Sequence, residues 1–164
     1  MKYFTMDEMT RSDTARVRHI DNTPTAEHRA HLTELVDRLL DPLREGWEEH
    51  CSRAGRDTAA IRVSSGYRGF RLNEVVRGAK SSAHCLGYAA DLMPLNGRMR
   101  EFKDFCRGFL TQGTSARPFD QMISEDENAA GIPVWIHVGL KDGRGAQRGQ
   151  LLTMRGGKYV PMTR

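Results

Sequence analysis

The sequence predicts an α+β fold in which N-terminal helices pack on a small, mainly antiparallel sheet. Three observations carry that expectation. Apolar residues recur at helical spacing between Thr25 and Cys51, and short alternating or apolar runs dominate from Ala60 onward. The two kinds of segment do not alternate regularly, as a doubly wound parallel sheet would require.

Taken in order, residues 7–11 read as a short helix, followed by a polar linker through Asp21-Asn22-Thr23-Pro24. Asn22 or Thr23 ahead of Pro24, with Glu27 in the first turn, marks the next helix start. Its stripe is Leu32, Leu35, Val36, Leu39, Leu40 and Leu43, at steps of three and four, which is the pattern of a core-facing helix. That helix continues through Trp47 toward Cys51, and Pro42, which has no N–H to donate, is expected to kink it. Residues 60–65 alternate as a short strand and end in Gly66-Tyr67-Arg68-Gly69. Residues 70–76 make one or two helical turns. Residues 88–93 form a buried strand carrying Asp91, stopped by Pro94-Leu95-Asn96-Gly97. Met99, Phe102, Phe105, Cys106, Phe109 and Leu110 make a second helical stripe, ended by Gly113. Residues 119–124 and 134–140 are further strands. Residues 151–154 and 158–162 close as a hairpin across Arg155-Gly156-Gly157.

With 164 residues the chain is expected to form one domain, residues 1–164, with residues 1–24 as an extension packed on it. An apolar content of 38% argues against disorder, and no stretch has the length to span a bilayer. The net charge of +4 comes from scattered basic residues, densest around Lys141, Arg144 and Arg148, with no aromatic-interleaved strip for stacking bases. Neither nucleic acid nor a membrane is therefore expected as a partner, and the chain is expected to be a monomer. The three cysteines, Cys51, Cys85 and Cys106, are odd in number and include no C-x-x-C pair, which suits reduced thiols. The opening residues lack the apolar core of a secretory signal, so the expected compartment is the cytoplasm in which the chain is synthesised.

The most informative stretch is Ser82-Ala83-His84-Cys85-Leu86-Gly87-Tyr88-Ala89-Ala90-Asp91, which reads S-x-H-x-x-G-x-A-x-D. A second histidine follows in Trp135-Ile136-His137-Val138. Two imidazoles and a carboxylate are a donor set that zinc accepts, and three protein ligands leave a fourth position open for chemistry. His84, Asp91 and His137 are thus the candidate ligands of one Zn2+ per chain. Gly87 permits a backbone conformation or a close approach that a Cβ would block. Cys85 sits next to His84, but neighbours on an extended chain point to opposite sides, so packing is its expected role. His28 and His31 lie three apart on a helix without a third ligand nearby and are expected at the surface or in caps.

These residues resemble the zinc D-Ala-D-Ala carboxypeptidase family, bacterial and phage peptidoglycan peptidases with the hedgehog/DD-peptidase fold. The resemblance also takes in the opening Tyr3-Phe4-Thr5-Met6-Asp7-Glu8-Met9-Thr10-Arg11-Ser12, Ile20-Asp21-Asn22-Thr23-Pro24, Ser65-Gly66-Tyr67-Arg68 and Phe119-Asp120-Gln121-Met122-Ile123. It implies that His84, Asp91 and His137 ligate zinc, that Arg68 steadies the substrate carbonyl and the developing oxyanion, and that Ser82 hydrogen-bonds to substrate. It further implies a peptidoglycan stem peptide as substrate and a phage or prophage origin, with the enzyme acting on the wall once released.

One position departs from the family pattern. Many relatives carry a general base as E-x-x-H, and that place is Val134 here. If residues 119–124 and 134–140 pair as a hairpin, Glu125 can reach the site from the adjacent strand, with Asp126 and Glu127 as the alternatives. Glu125 is the expected base, and it also matches the Q-L-I-x-E ending of close relatives. The missing glutamate leaves a second reading, a catalytically inactive zinc-containing module that binds cell wall or protein.

Overall fold

Caps, rather than hydrophobic pattern, define the first two helices. In the computed structural model, which describes residues 1–112 and 117–163, α1 spans Met6–Thr10 and α2 spans Asp13–Val17. Thr5 accepts the Glu8 N–H while the Glu8 carboxylate accepts the Thr5 N–H, a reciprocal capping box. Ser12 caps α2 by accepting the Ala15 N–H at 3.2 Å. This second helix lies where the sequence suggested only a linker. Five residues are too few to show a stripe, and its one signal is the capping serine. Phe4, Met9 and Ala15 from this region are buried.

The long stripe folds as α3 (Ala26–Leu35), a π-helical turn (Val36–Leu40) and α4 (Asp41–Arg53). The cap is Thr25, which accepts the His28 N–H, not Asn22 or Thr23. Pro42 acts one step earlier than expected. It cannot donate to the Arg38 carbonyl, and the chain widens just before it, so that Asp41 donates to Val36 five residues back. All six stripe residues from Leu32 to Leu43 are fully buried. The Asp41 carboxylate accepts the backbone N–H groups of Lys2 and Tyr3, which ties the N-terminus to this rod.

The sheet follows as β1 (Ile61–Ser65), β2 (Ala89–Pro94), β3 (Gln121–Glu125), β4 (Trp135–Gly139), β5 (Gln150–Arg155) and β6 (Lys158–Pro161). Between them lie α5 (Phe70–Val75), a 3-10 turn (Ala83–Leu86) and α6 (Met99–Thr111). Strand order is β1-β2-β4-β3-β5-β6, antiparallel throughout except for the parallel β3–β5 pair. Pro94 belongs to β2, paired with Ile61, rather than lying beyond it. Gly113, expected to end α6, lies outside the described residues. The β5–β6 turn uses Gly156 and Gly157 at φ 53° and 77°, the left-handed pair of a type I′ hairpin.

Strand alternation sorts the side chains onto two faces. Ala90, Leu92, Met122, Ile136 and Val138 join the stripe leucines, Trp47 and Phe102 in one core. The opposite face carries a row of register partners across four strands: Asp91 opposite His137, His137 opposite Ile123, and Ile123 opposite Leu152. That row is the floor of a cleft.

Candidate metal centre

Two of the three expected ligands meet because of sheet register alone. Asp91 on β2 and His137 on β4 are direct cross-strand partners on the cleft face, which sets their Cβ atoms roughly 5 Å apart. Asp91 Oδ1 lies 3.0 Å from His137 Nδ1. The third, His84, comes from the 3-10 turn, and its Nε2 stands 3.1 Å from His137 Nδ1 and 3.2 Å from Asp91 Oδ1. All three side chains are buried and form a group able to hold a metal ion. Donor atoms about 2.05 Å from a tetrahedral zinc stand roughly 3.3 Å apart, so this triangle fits with little adjustment.

The hydrogen-bond chemistry makes the same case. His84 Nδ1 donates to the Gly66 carbonyl at 2.7 Å, so the neutral ring presents a lone pair at Nε2. Burial pushes the His84 pKa down, which keeps that ring neutral. Burial opposes ionisation of Asp91, but the two imidazoles outweigh it and hold the carboxyl below the usual range. Two imidazole nitrogens and a carboxylate oxygen converge within 3.2 Å of one another. A cation satisfies all three.

The turn that presents His84 is braced on several sides. Gly87 has φ +77°, and a Cβ there would come within 2.7 Å of the His28 carbonyl oxygen, so both readings of this glycine hold. His31 Nδ1 bonds the Leu86 carbonyl at 2.8 Å and its ring stacks on Tyr88, while His28 Nδ1 bonds the Tyr67 hydroxyl at 3.0 Å. These histidines are braces for the site loops, not surface or capping groups. Cys85 lies on a helical turn rather than an extended chain and stands outside the ligand group.

Sequence reasoning missed Asn22. Its amide donates to the Thr10 carbonyl at 2.9 Å and the Tyr67 carbonyl at 3.1 Å, and its Oδ1 accepts the Gly69 N–H at 2.7 Å. It therefore grips the backbone on both sides of Arg68. Only the turn-like string Asp21-Asn22-Thr23-Pro24 hinted at it. Met9 adds a second grip through its carbonyl, which accepts the Tyr67 N–H at 2.7 Å and would stand 2.2 Å from a Cβ on Gly66.

Arg68, Ser82 and Glu125 line the same cleft as the ligand group. Arg68 Nη2 lies 3.5 Å from Ser82 Oγ, and its buried Nε has no partner. Glu125 arrives on β3, paired with Trp135 two positions before His137, because residues 121–125 and 135–139 do pair as a hairpin. Glu127 is turned elsewhere: Ser124 Oγ at 2.5 Å, Lys103 Nζ at 3.1 Å and Arg155 hold it. Asp126 sits at φ 47° and does not line the cleft. Val134 is half exposed beside the β4 start.

Comparison with protein families supplies the identification. A family model for Peptidase M15 matches residues 2–124, about three quarters of the chain. The chain belongs to the M15 peptidase family. No curated protein matches it. M15 enzymes are metallopeptidases with the hedgehog/DD-peptidase fold, which agrees with helices packed on this mixed, mostly antiparallel sheet. The match includes His84 and Asp91 and stops one residue before Glu125, so Glu125 and His137 of this M15 chain are placed by β-sheet register.

In this M15 chain, Glu125 in the cleft and Glu127 turned away from it differ sharply. Burial lifts the Glu125 carboxyl to about 7, only partly offset by His137. Burial also disfavours charge on Glu127, but the hydrogen bonds from Ser124, Arg155 and Lys103 outweigh it and hold that carboxyl at about 2. A carboxyl poised near neutrality in a cleft is suited to proton transfer, and one locked in ion pairs is not.

Proposed function

We propose that this chain is a zinc-dependent peptidase that hydrolyses peptide bonds in bacterial cell-wall stem peptides, of the D-Ala-D-Ala carboxypeptidase or endopeptidase type. The observation that carries the reading is the convergence of three donor atoms at 3.0–3.2 Å beside Arg68 and Glu125 in one cleft. His84, Asp91 and His137 would hold one Zn2+, which would supply Lewis acidity toward a carbonyl and make water a nucleophile at neutral pH.

The chain's own groups account for the remaining steps. Glu125, with its carboxyl near 7, takes the proton of the attacking water and passes it to the leaving amine. Arg68 lines the cleft beside the ligand group and has no carboxylate partner among the described residues, so its guanidinium stabilises the negative charge that develops on the carbonyl oxygen. Ser82, at 3.5 Å from that guanidinium, orients it and offers a hydroxyl to the substrate. Glu125 in the cleft offers a carboxyl that Val134 cannot, and this supports the peptidase reading over the binding module.

The test is digestion of purified peptidoglycan by the zinc-loaded protein, followed by mass analysis. Release of single D-Ala residues indicates a carboxypeptidase and split stem peptides an endopeptidase. No product from any wall type, with metal bound, would refute the proposal.

A further inference from the structure

The ligand group does not sit at the blind end of a pocket. Two grooves, of about 640 Å3 and 690 Å3, meet at Asp91; His84 and His137 line the first of them. Arg68, Val76, Asp91 and Trp135 line both, so they are two arms of one cleft. The first arm runs over β3, β5 and β6 past Ile123, Leu152 and Tyr159 toward Arg148. The second runs over β1 and β2 past Met93, and its far wall is the N-terminal segment from Arg11 to Thr14. Each arm falls in the size range, roughly 300–1,000 Å3, that encloses a drug-sized molecule. A peptide segment fits on either side of the reacting bond.

The arms differ in charge. The second arm carries Arg11, Arg62 and Arg68 against two acidic residues, Asp91 and Asp13. Asp91 belongs to the ligand group, and Asp13 leans to Arg16 at 3.6 Å. Among the described residues, none of the three guanidiniums pairs with a carboxylate. Arg62 instead lies 3.1 Å from the Met93 sulfur, on the register pair that floors the arm. In the first arm the exposed Arg148 is already neutralised by Asp120 at 2.6 Å and 2.7 Å. The first arm holds one other guanidinium, Arg77, without a carboxylate partner among the described residues; the second arm holds two, Arg11 and Arg62, and Arg68 is common to both.

We infer that the chain cleaves internal peptide bonds, with a carboxylate-bearing residue of the substrate held in the second arm by Arg11 and Arg62. This rests on the peptidase reading above. The C–N bond breaks, the hydroxyl of water joins the carbonyl carbon, and the nitrogen leaves with the proton; both products keep their flanking residues. Arg62 lies on the sheet edge and Arg11 just past α1, so the arm exists only because the N-terminal segment folds over β1.

The experiment uses zinc-loaded full-length protein and synthetic stem peptides acylated at the N-terminus and amidated at the C-terminus. Matched peptides are left uncapped, or have each carboxylate amidated in turn. The expected result is cleavage of the doubly capped peptide, with amidation of one carboxylate lowering kcat/KM roughly five- to tenfold, mainly through KM. In Arg11→Gln/Arg62→Gln that preference shrinks toward one, with metal content unchanged. An inert capped peptide beside an uncapped one that loses only its last residue overturns the inference and leaves the peptidase standing. Cleavage of the capped peptide with no carboxylate preference overturns the assigned role of Arg11 and Arg62. Failure to cut any peptide sinks both readings.

Discussion

Replacing Asn22 with alanine tests whether the N-terminal segment positions the catalytic loop. The substitution removes three hydrogen bonds, at 2.9, 3.1 and 2.7 Å, that join Thr10, Tyr67 and Gly69 through one side chain. At about 1 kcal/mol net for each, the loss is about 3 kcal/mol. Against a typical 5–15 kcal/mol for a domain, that is a large fraction, and it corresponds to a Tm lowered by roughly 6–12 °C. Urea unfolding followed by fluorescence of the buried Trp47 reads the stability. Asn22→Asp is the sharper control, because it keeps the acceptor for Gly69 but sets oxygen against the Thr10 and Tyr67 carbonyls. It is expected to cost at least as much as alanine. Since the same bonds fix Arg68, kcat is expected to fall about tenfold with metal content intact, for the loss of positioning of an oxyanion donor. A stability change under about 1 kcal/mol, or an aspartate variant equal to wild type, would show that the clamp does not matter.

His84→Ala and Asp91→Ala are expected to weaken zinc binding by more than about a hundredfold and to lose activity with it, while Glu125→Gln keeps metal and loses about 10²- to 10⁴-fold in kcat; metal analysis beside peptide hydrolysis separates the two. Chelation should lower Tm by roughly 5–11 °C relative to protein in zinc at a hundred times Kd, measured by scanning calorimetry. Glu127 gives a pH signature. Its folded pKa, about 2, lies below the unfolded value, so its stabilisation is present above the unfolded pKa and is lost as pH falls from there toward 2. In Glu127→Gln, acid titrations of stability should show a shallower slope in that window; an unchanged slope refutes the assignment. Gly87→Ala meets both a φ of +77° and the His28 carbonyl, and should cost about 2 kcal/mol or more in denaturant unfolding.

Element type was legible wherever side-chain period and burial agree. The stripe from Leu32 to Leu43 dictated a helix because it buries one face, and the apolar runs around Asp91 and His137 dictated strands because both faces of those strands are buried. The short capped helix at Asp13–Val17 escaped, since its only determinant is one hydrogen bond from Ser12. The ligand types were legible too, because few residue combinations present two imidazoles and a carboxylate to a metal. What only the tertiary structure decided was adjacency. Asp91 faces His137 through β2–β4 register, Glu125 enters the cleft while Glu127 turns to Lys103 and Arg155, and Asn22 reaches Arg68 across 46 positions of sequence. Local periodicity reports which face a residue takes on its own strand; which residue lies opposite it depends on pairing between distant segments, and that is set by packing of the whole sheet on its helices.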